Sequence, residues 1–383
     1  MKITVAPDSL KESLGAPEAA RAIARGLRRA DPGVDLALVP MADGGEGTTE
    51  AMVEATGGTR RRARVRDPLG RPVEAAWGLC GDGRTAVVEM AAASGLELLS
   101  PEERDPMLTS TWGTGELIRE ALDAGAARII VGIGGSATVD GGTGMAAALG
   151  VRFLDADGAS IPDPRGGRLA DIARIDASGL DARLEEVEVV VASDVTNPLL
   201  GPDGAARVYG PQKGATPAQV EELERGLSGL SDAIRLSLGR DVADLAGAGA
   251  AGGLGAGLVA FLGATLQSGA ETVAEAVGLR DRMAGSDLVI TAEGRLDGQS
   301  AFGKATACVA SIARELGIPA VALAGSLGPG CDRLHAHGVD AFLAIPDGPM
   351  SLDEATGRAG PLLERAAESV LRLWLVARGE GHD

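Results

Sequence analysis

The sequence contains few aromatic, cysteine and histidine residues, and each shortage excludes a class of function. Aromatic residues make up 2% of the 383 residues, so stacking platforms for nucleic-acid bases are not expected. The three cysteines, Cys80, Cys308 and Cys331, lie far apart without Cys-x-x-Cys spacing, and the three histidines form no zinc-binding motif. The cysteines are therefore interpreted as structural thiols.

The sequence has fewer basic than acidic residues, and it has no long apolar run. The formal net charge is −18, so a nucleic acid or an anionic membrane would be repelled at long range. No apolar run approaches the roughly 18 residues that a bilayer span requires. The N-terminus reaches Asp8 without the apolar stretch of a secretory signal. A cytoplasmic protein with no nucleic-acid or membrane partner is expected.

Alternating strand and helix patterns are present at both ends of the chain. A chain of 383 residues exceeds one usual core, which predicts two domains. Hydrophobic periodicity predicts strands at 2–6, 35–40, 287–291, 320–324 and 339–345, and helices at 16–30, 304–316 and 352–377. These parts predict an α/β fold, with a Rossmann-like or flavodoxin-like parallel, doubly wound sheet.

The middle of the chain has a different rhythm and is interpreted as an insertion. It contains basic, extended segments over 59–76, predicted strands at 85–90, 129–133 and 188–192, and a predicted helix at 114–124. The first domain would then be discontinuous, with residues 1–60 and 285–383, and residues 61–284 would form an inserted α/β domain. Two consecutive domains are the alternative. Because ligands of open α/β sheets bind beyond the carboxyl ends of strands, a cleft between the domains is expected.

A glycine-rich loop follows the apolar strand that begins near Arg128. It contains Gly134, Gly135 and Ser136, and a helix is predicted from Gly144. Without Cβ atoms the backbone N–H groups can approach an anion closely, and a following helix points its positive end at that anion. The loop therefore predicts a phosphate site.

Carboxylates recur just after the predicted strands, with a few cations beside them. The acidic residues are Asp8, Asp43, Glu46, Asp140, Asp194, Glu293 and Asp297, and the cations are Lys11, Arg66, Lys213, Arg295 and Lys304. Any single carboxylate could be a helix N-cap or an Asx-turn. Together they offer oxygen ligands for Mg²⁺, a proton acceptor and counter-charges for phosphate, which indicates magnesium-dependent phosphoryl transfer.

Two other nucleotide motifs are incomplete. Residues 132–137 match a dinucleotide-binding pattern, but Asp140 and further glycines delay the helix. Residues 298–305 resemble a P-loop in which Ala305 replaces the magnesium-binding hydroxyl. An NAD-dependent dehydrogenase of small hydroxy acids is thus one alternative. A non-catalytic sugar-acid binding protein is the other.

Six segments in order carry a family resemblance. They are Ala6–Lys11, Pro40–Thr48, Gly132–Thr138, Ala192–Leu199, Tyr209–Gly214 and Glu293–Ser300. The chain closely resembles the bacterial glycerate kinase family of type I, which implies ATP-dependent phosphorylation of D-glycerate, with 2-phosphoglycerate favoured, and ATP and Mg²⁺ as cofactors. The family pattern usually has Phe, Gly, Asn and Gly where this chain has Leu10, Glu12, Val139 and Ala292.

The resemblance leads to a hypothesis for each polar residue. For the nucleotide phosphates the candidates are Gly134, Gly135, Ser136, Asp140, Lys213 and Lys304. For the glycerate they are Asp8, Ser9, Asp43, Glu46, Arg66 and Arg295. Asp194 and Asp297 are candidates for metal ligand and general base, in either order, and Glu293 is a further candidate metal ligand. Lys11 is the candidate that offsets anionic charge during catalysis. D-glycerate is the expected small-molecule partner, and a homodimer is one option for assembly.

Overall fold

A computed structural model describes residues 1–298, 300 and 304–379. The strands are β1 (Lys2–Val5), β2 (Asp35–Leu38), β3 (Thr59–Arg66), β4 (Pro72–Leu79), β5 (Thr85–Glu89), β6 (Arg128–Gly132), β7 (Arg152–Leu154), β8 (Ser160–Ile161), β9 (Arg174–Asp176), β10 (Glu188–Ala192), β11 (Thr265–Gln267), β12 (Leu288–Leu296), β13 (Ala320–Leu327) and β14 (Ala341–Ala344). The helices are α1 (Ala16–Ala30), α2 (Thr48–Thr56), α3 (Ala91–Ser94), α4 (Trp112–Asp123), α5 (Thr143–Ala148), α6 (Ala205–Tyr209), α7 (Pro217–Leu238), α8 (Ala250–Leu262), α9 (Gly269–Ala276), α10 (Leu279–Met283), α11 (Ala305–Glu315), α12 (Leu352–Gly357) and α13 (Ala359–Ala377).

The chain divides into two compact units. The first contains residues 1–43, 50–56 and 269–383, and the second contains residues 44–49 and 57–268. The unit boundary falls inside the acidic, glycine-rich motif that follows β2, between Asp43 and Gly44. Among the described residues, no helix combines the length and apolarity needed to cross a lipid bilayer.

The first unit is built on a parallel sheet of five strands in the order β14-β13-β12-β1-β2. Its core includes Ile3, Val5, Ile23 and Leu363, which are buried in one cluster. The sequence favours helix α1 at both ends. Pro17 stands in the first turn, where its missing N–H costs no hydrogen bond, and Arg28 in the last turn complements the helix dipole. The α/β class with parallel strands is confirmed by this architecture.

The second unit contains a mixed sheet of six strands in the order β11-β10-β6-β5-β4-β3. Strands β11, β10, β6 and β5 are parallel, whereas β4 pairs antiparallel with both β5 and β3. A separate antiparallel sheet has the order β8-β7-β9. The carboxyl ends of β5, β6 and β10 therefore lie side by side, and the loops after these strands meet there.

Two local predictions are wrong. The strand predicted at 287–291 is longer than expected. Strand β12 continues through the polar residues to Leu296, because it stays paired with β13 as far as Leu327. The predicted closing helix over 352–377 is two helices, α12 and α13, with Arg358 between them at φ −111° and ψ 8°. Within the P-loop-like segment 298–305, Gln299 and residues 301–303 lie outside the described residues.

Candidate active site

Acidic side chains gather at the carboxyl ends of neighbouring strands in the first unit. Asp8 follows β1, Asp43 follows β2 and Glu293 lies near the end of β12, and these strands are adjacent in the sheet. The Asp8 N–H donates to the Ala292 carbonyl at 2.8 Å. Asp8 and Glu293 are only 7% and 8% exposed. The predicted grouping of acidic residues at this edge therefore includes buried carboxylates.

Burial and like charge change the protonation of Asp8. Burial raises the pKa of Asp8 to about 7, and repulsion from Asp43 and Glu293 acts in the same direction. The Ser9 N–H, which donates to Asp8 Oδ1 at 2.6 Å, and the charge of Lys11 oppose this rise. A carboxyl group with a pKa near neutrality beside other carboxylates is typical of functional sites.

Lys304 neutralises part of this acidic group. Its Nζ lies 2.8 Å from Glu293 Oε1. Burial lowers the pKa of Lys304, but the ion pair with Glu293 more than offsets this effect, so the pKa lies above its ordinary value. The other carboxylate oxygen, Glu293 Oε2, is buried and has no hydrogen-bond partner in the described part of the chain. Such an orphaned buried acceptor fits a bound cation or a ligand hydroxyl.

Arg295 and Asp297 lie next to each other at the end of β12. Arg295 Nε is 3.1 Å from Asp297 Oδ2, and the arginine side chain is 62% exposed. Ser300 is fully buried and its Oγ donates to the Arg295 carbonyl at 3.2 Å, which holds the end of the strand in place. The exposed guanidinium keeps the fork of donors that binds carboxylates.

In the second unit the glycine-rich loop presents free backbone donors. Gly134 and Gly135 are exposed, Ser136 is half-buried, and Gly135 has φ +72°. Within the described residues, the N–H groups of these three residues have no acceptor, whereas the Gly135 carbonyl accepts from Leu96 N at 2.9 Å. Consecutive N–H groups beside a left-handed residue form an anion-binding concavity.

Asp140 and Lys213 are buried beside the segment that follows this loop. Asp140 is fully buried, and its Oδ2 accepts from Thr111 N at 2.7 Å and Thr111 Oγ1 at 2.8 Å. Lys213 is 1% exposed, and its Nζ donates to the Thr138 carbonyl at 2.7 Å. Burial raises the pKa of Asp140 and lowers that of Lys213 to about 7. Both predicted nucleotide contacts are thus buried and bonded to the residues that follow the loop and to Thr111.

Asp194 and Glu46 belong to segments next to the glycine-rich loop, because Ala192 pairs with Gly132 and the Gly45 backbone lies close to Gly134. Asp194 follows β10, is exposed, and accepts from Ser268 Oγ at 2.9 Å. Glu46 is exposed on the turn after residue 43. The guanidinium of Arg66 lies 4.3 Å from the Trp112 ring centroid, and its Nε is 3.7 Å from Glu116 Oε1. The charge of Arg66 is therefore engaged within the unit.

Sequence reasoning missed Glu89. This residue ends β5 beside Gly132 of β6, and its carboxylate accepts backbone N–H groups of Thr49 and Gly47. The available signal was a lone acidic residue in the otherwise apolar run Thr85–Met90, at the carboxyl end of a parallel strand. Because ligands of α/β sheets bind beyond the carboxyl ends of strands, an acidic residue in that position indicates a place in or beside the site.

No three His, Cys, Asp or Glu side chains come together as a metal cage in residues 1–298, 300 and 304–379. Magnesium seldom uses such a cage, because one or two carboxylates and the substrate phosphates complete its coordination. The carboxylates at the end of β12 fit that requirement, since Glu293 has an unpartnered oxygen. These features define an α/β protein with a glycine-rich loop of exposed backbone N–H groups on one unit and a carboxylate cluster on the other.

Comparisons with known proteins give the family. Residues 3–375 match the model of the glycerate kinase family. The chain is 51% identical to a glycerate kinase from Halalkalibacterium halodurans, over 96% of this chain and 97% of that protein. It is also 51% identical to a glycerate 2-kinase from Escherichia coli K12, over 97% of each. The crystal structure of a provisionally named glycerate kinase 2 from Salmonella typhimurium LT2 superimposes with a TM-score of 0.91, at 50% identity over 99% of each chain.

The chain therefore belongs to the glycerate kinase family. The resemblance inferred from the six sequence segments is confirmed by these matches.

Proposed function

We propose that this protein is an ATP-dependent kinase of D-glycerate that forms phosphoglycerate, with phosphate transferred to the 2-position. The observation that carries the proposal is the family match over residues 3–375 together with the free N–H groups of Gly134, Gly135 and Ser136. The E. coli relative that is 51% identical is named a glycerate 2-kinase, which supports the choice of product.

We assign the nucleotide phosphates to the loop at Gly134. Its three N–H groups would donate to phosphate oxygens, and Gly134 and Gly135 are exposed and have no side chain of their own to obstruct a ligand. Asp140 and Lys213 would hold the segment after this loop in place, since both are buried and bonded within the unit. Lys304 is the candidate cation for phosphate charge, once its pairing with Glu293 is exchanged for a ligand.

The glycerate and the proton transfer are assigned to the strand ends of both units. Arg295 would hold the substrate carboxylate, and Lys11 would offset its charge. Asp8, Ser9, Asp43 and Glu46 are the candidate partners of the glycerate hydroxyls. Asp194 and Asp297 remain the candidates for metal binding and for accepting the proton from the attacking hydroxyl. Arg66 is a weaker candidate for substrate binding because Glu116 and Trp112 already engage its guanidinium.

Glu293 and Asp297, with Asp194, are the residues that would hold Mg²⁺. When bound, the ion neutralises charge on the phosphates during transfer. The unpartnered oxygen of Glu293 supports this assignment.

We also propose that the first unit is a discontinuous, Rossmann-like domain with the second inserted into it. The five-stranded parallel sheet takes β1 and β2 from the start of the chain and β12, β13 and β14 from its last hundred residues. A homodimer is a separate proposal. Light scattering after size-exclusion chromatography tests it by measuring the molar mass in solution.

The test is an assay of the purified protein with Mg-ATP and D-glycerate. We expect ADP to form only when both Mg²⁺ and D-glycerate are present. The phosphorus NMR spectrum of the product is expected to be that of 2-phosphoglycerate. A protein that shows no glycerate-dependent turnover of ATP would disprove the proposal, and a 3-phosphoglycerate spectrum would disprove only the assigned position.

A further inference from the structure

Glu89 lies at the carboxyl end of a central strand in the second unit. It is the last residue of β5 and lies opposite Gly132, the last residue of β6, from which the glycine-rich loop departs. The side chain is half-buried. A carboxylate here lies one strand away from the anion-binding loop.

The carboxylate of Glu89 is bonded to the start of a distant segment. Glu89 Oε1 accepts from Thr49 N at 2.6 Å, and Glu89 Oε2 accepts from Gly47 N at 3.3 Å. These N–H groups belong to the first turn of α2 and the residue before it, where a helix has no internal acceptors. Glu89 therefore caps the first turn of α2 from a strand about 40 residues away in the chain.

The turn that Glu89 holds fits tightly on the strand ends. A Cβ atom on Gly44 would lie 2.4 Å from the Ala192 carbonyl oxygen, and one on Gly132 would lie 2.6 Å from that of Gly44. A Cβ on Gly134 would lie 3.1 Å from the Gly45 Cα. The backbone of this turn is thus in close contact with the first glycine of the anion-binding loop.

We propose that Glu89 is a positioning residue, which anchors the turn Gly44–Gly47 against the loop at Gly134 and so shapes the phosphate site. This inference rests on the proposed kinase function. This role requires no contact between Glu89 and phosphate or glycerate, because its carboxylate is already bonded to Thr49 and Gly47. It acts through the turn, which also carries the exposed Glu46. Burial raises the pKa of Glu89 because the charged form loses hydration, and the hydrogen bonds from Thr49 and Gly47 oppose this rise.

The test compares Glu89→Ala and Glu89→Gln with a matched control, Asp82→Ala. Asp82 accepts the N–H groups of Arg84 and Thr85, each at 2.9 Å, at the amino end of the same strand. Both alanine variants thus remove a carboxylate that holds backbone N–H groups. We expect kcat/KM for ATP to fall about ten- to hundredfold in Glu89→Ala. The value for Glu89→Gln should fall less, because its amide oxygen still accepts a hydrogen bond. Asp82→Ala should keep the wild-type kcat/KM when the concentration of folded protein is used.

Hydrogen exchange supplies a readout that is independent of catalysis. Peptides covering residues 44–56 should exchange faster in Glu89→Ala than in wild type and Asp82→Ala. Unchanged exchange, or a loss of kcat/KM no greater in Glu89→Ala than in Asp82→Ala, would overturn the positioning role. A wild-type protein without glycerate-dependent activity would instead overturn the proposed function and, with it, the assignment of Glu89 to that reaction.

Discussion

Asp8 shows how the burial of one carboxyl group lowers the stability of the folded protein near neutral pH. Burial raises its pKa to about 7, so the folded protein holds a proton that the unfolded chain has already released at lower pH. Stability therefore falls as the pH rises from the ordinary range of a carboxyl group to about 7. Functional sites commonly retain such unfavourable groups.

Asp8→Asn is expected to stabilise the metal-free protein, and more so at pH 8 than at pH 5.5. The amide has no charge to desolvate, so the gain at pH 8 should be about 2–4 kcal/mol. Thermal unfolding of both proteins at the two pH values measures it. The control is Asp281→Asn, at an exposed position of α10. An equal gain at both pH values would refute the argument.

Glu12 has a backbone conformation that suits glycine. Its φ is +62°, in the left-handed region that is unfavourable for residues with a Cβ atom. The family pattern usually has glycine at this position, and the structure supplies the physical reason. The tight turn is closed by hydrogen bonds between Leu10 and Leu14.

Glu12→Gly should therefore stabilise the protein by about 0.5–1 kcal/mol, the relief of strain less the entropy of the added glycine. Glu12→Ala is the control, since it removes the side chain beyond Cβ but keeps the strain. Chemical denaturation of the variants measures the difference. A similar gain from alanine would show that the glutamate side chain, and not the backbone, is responsible.

At the scale of elements, α1 and α13 illustrate close packing that depends on one glycine. A Cβ atom on Gly26 would lie 2.0 Å from the Glu364 carbonyl oxygen. The side chain of Glu364 also binds Arg25 at 2.9 Å and Arg29 at 2.5 Å. The two helices therefore approach backbone to backbone with ion pairs alongside.

Gly26→Ala should destabilise the protein by about 1–3 kcal/mol, because the added methyl group forces the helices apart. Gly229→Ala is the matched control. Gly229 also lies inside a helix, α7, but a Cβ there would meet no atom within 4 Å. Alanine at that position should stabilise by about 0.5–1 kcal/mol. If urea denaturation gives the two variants changes of the same sign, the packing argument fails.

At the scale of the whole molecule, the net charge of −18 opposes the binding of anionic reactants. Raising the ionic strength from about 0.01 M to about 0.15 M shortens the Debye length from about 30 Å to about 8 Å. We expect kcat/KM for D-glycerate to rise over this range because long-range repulsion is screened, while kcat stays constant. A fall in kcat/KM with salt would show that local basic groups, such as Lys11 and Arg295, dominate the approach of substrate.

Elements with strong local patterns could be predicted from the sequence. Helix α1 matches its predicted bounds, and β1, β2, β13 and β14 lie within or overlap the predicted strands. Other boundaries could not, because they depend on partners. Strand β12 continues through its polar residues because β13 continues beside it. The grouping of Asp8, Asp43 and Glu293 is expected from the sequence because all three follow predicted parallel strands, whose carboxyl ends share one edge.

The sequence by itself determined the α/β class, the acidic strand ends, the glycine-rich loop and the family, because periodicity, residue chemistry and motif order are properties of neighbours along the chain. Only the tertiary structure decided that Asp140 and Lys213 are buried and that Glu89 caps the first turn of α2. Burial and hydrogen bonding between distant segments depend on how the chain closes on itself, and no local pattern specifies that closure.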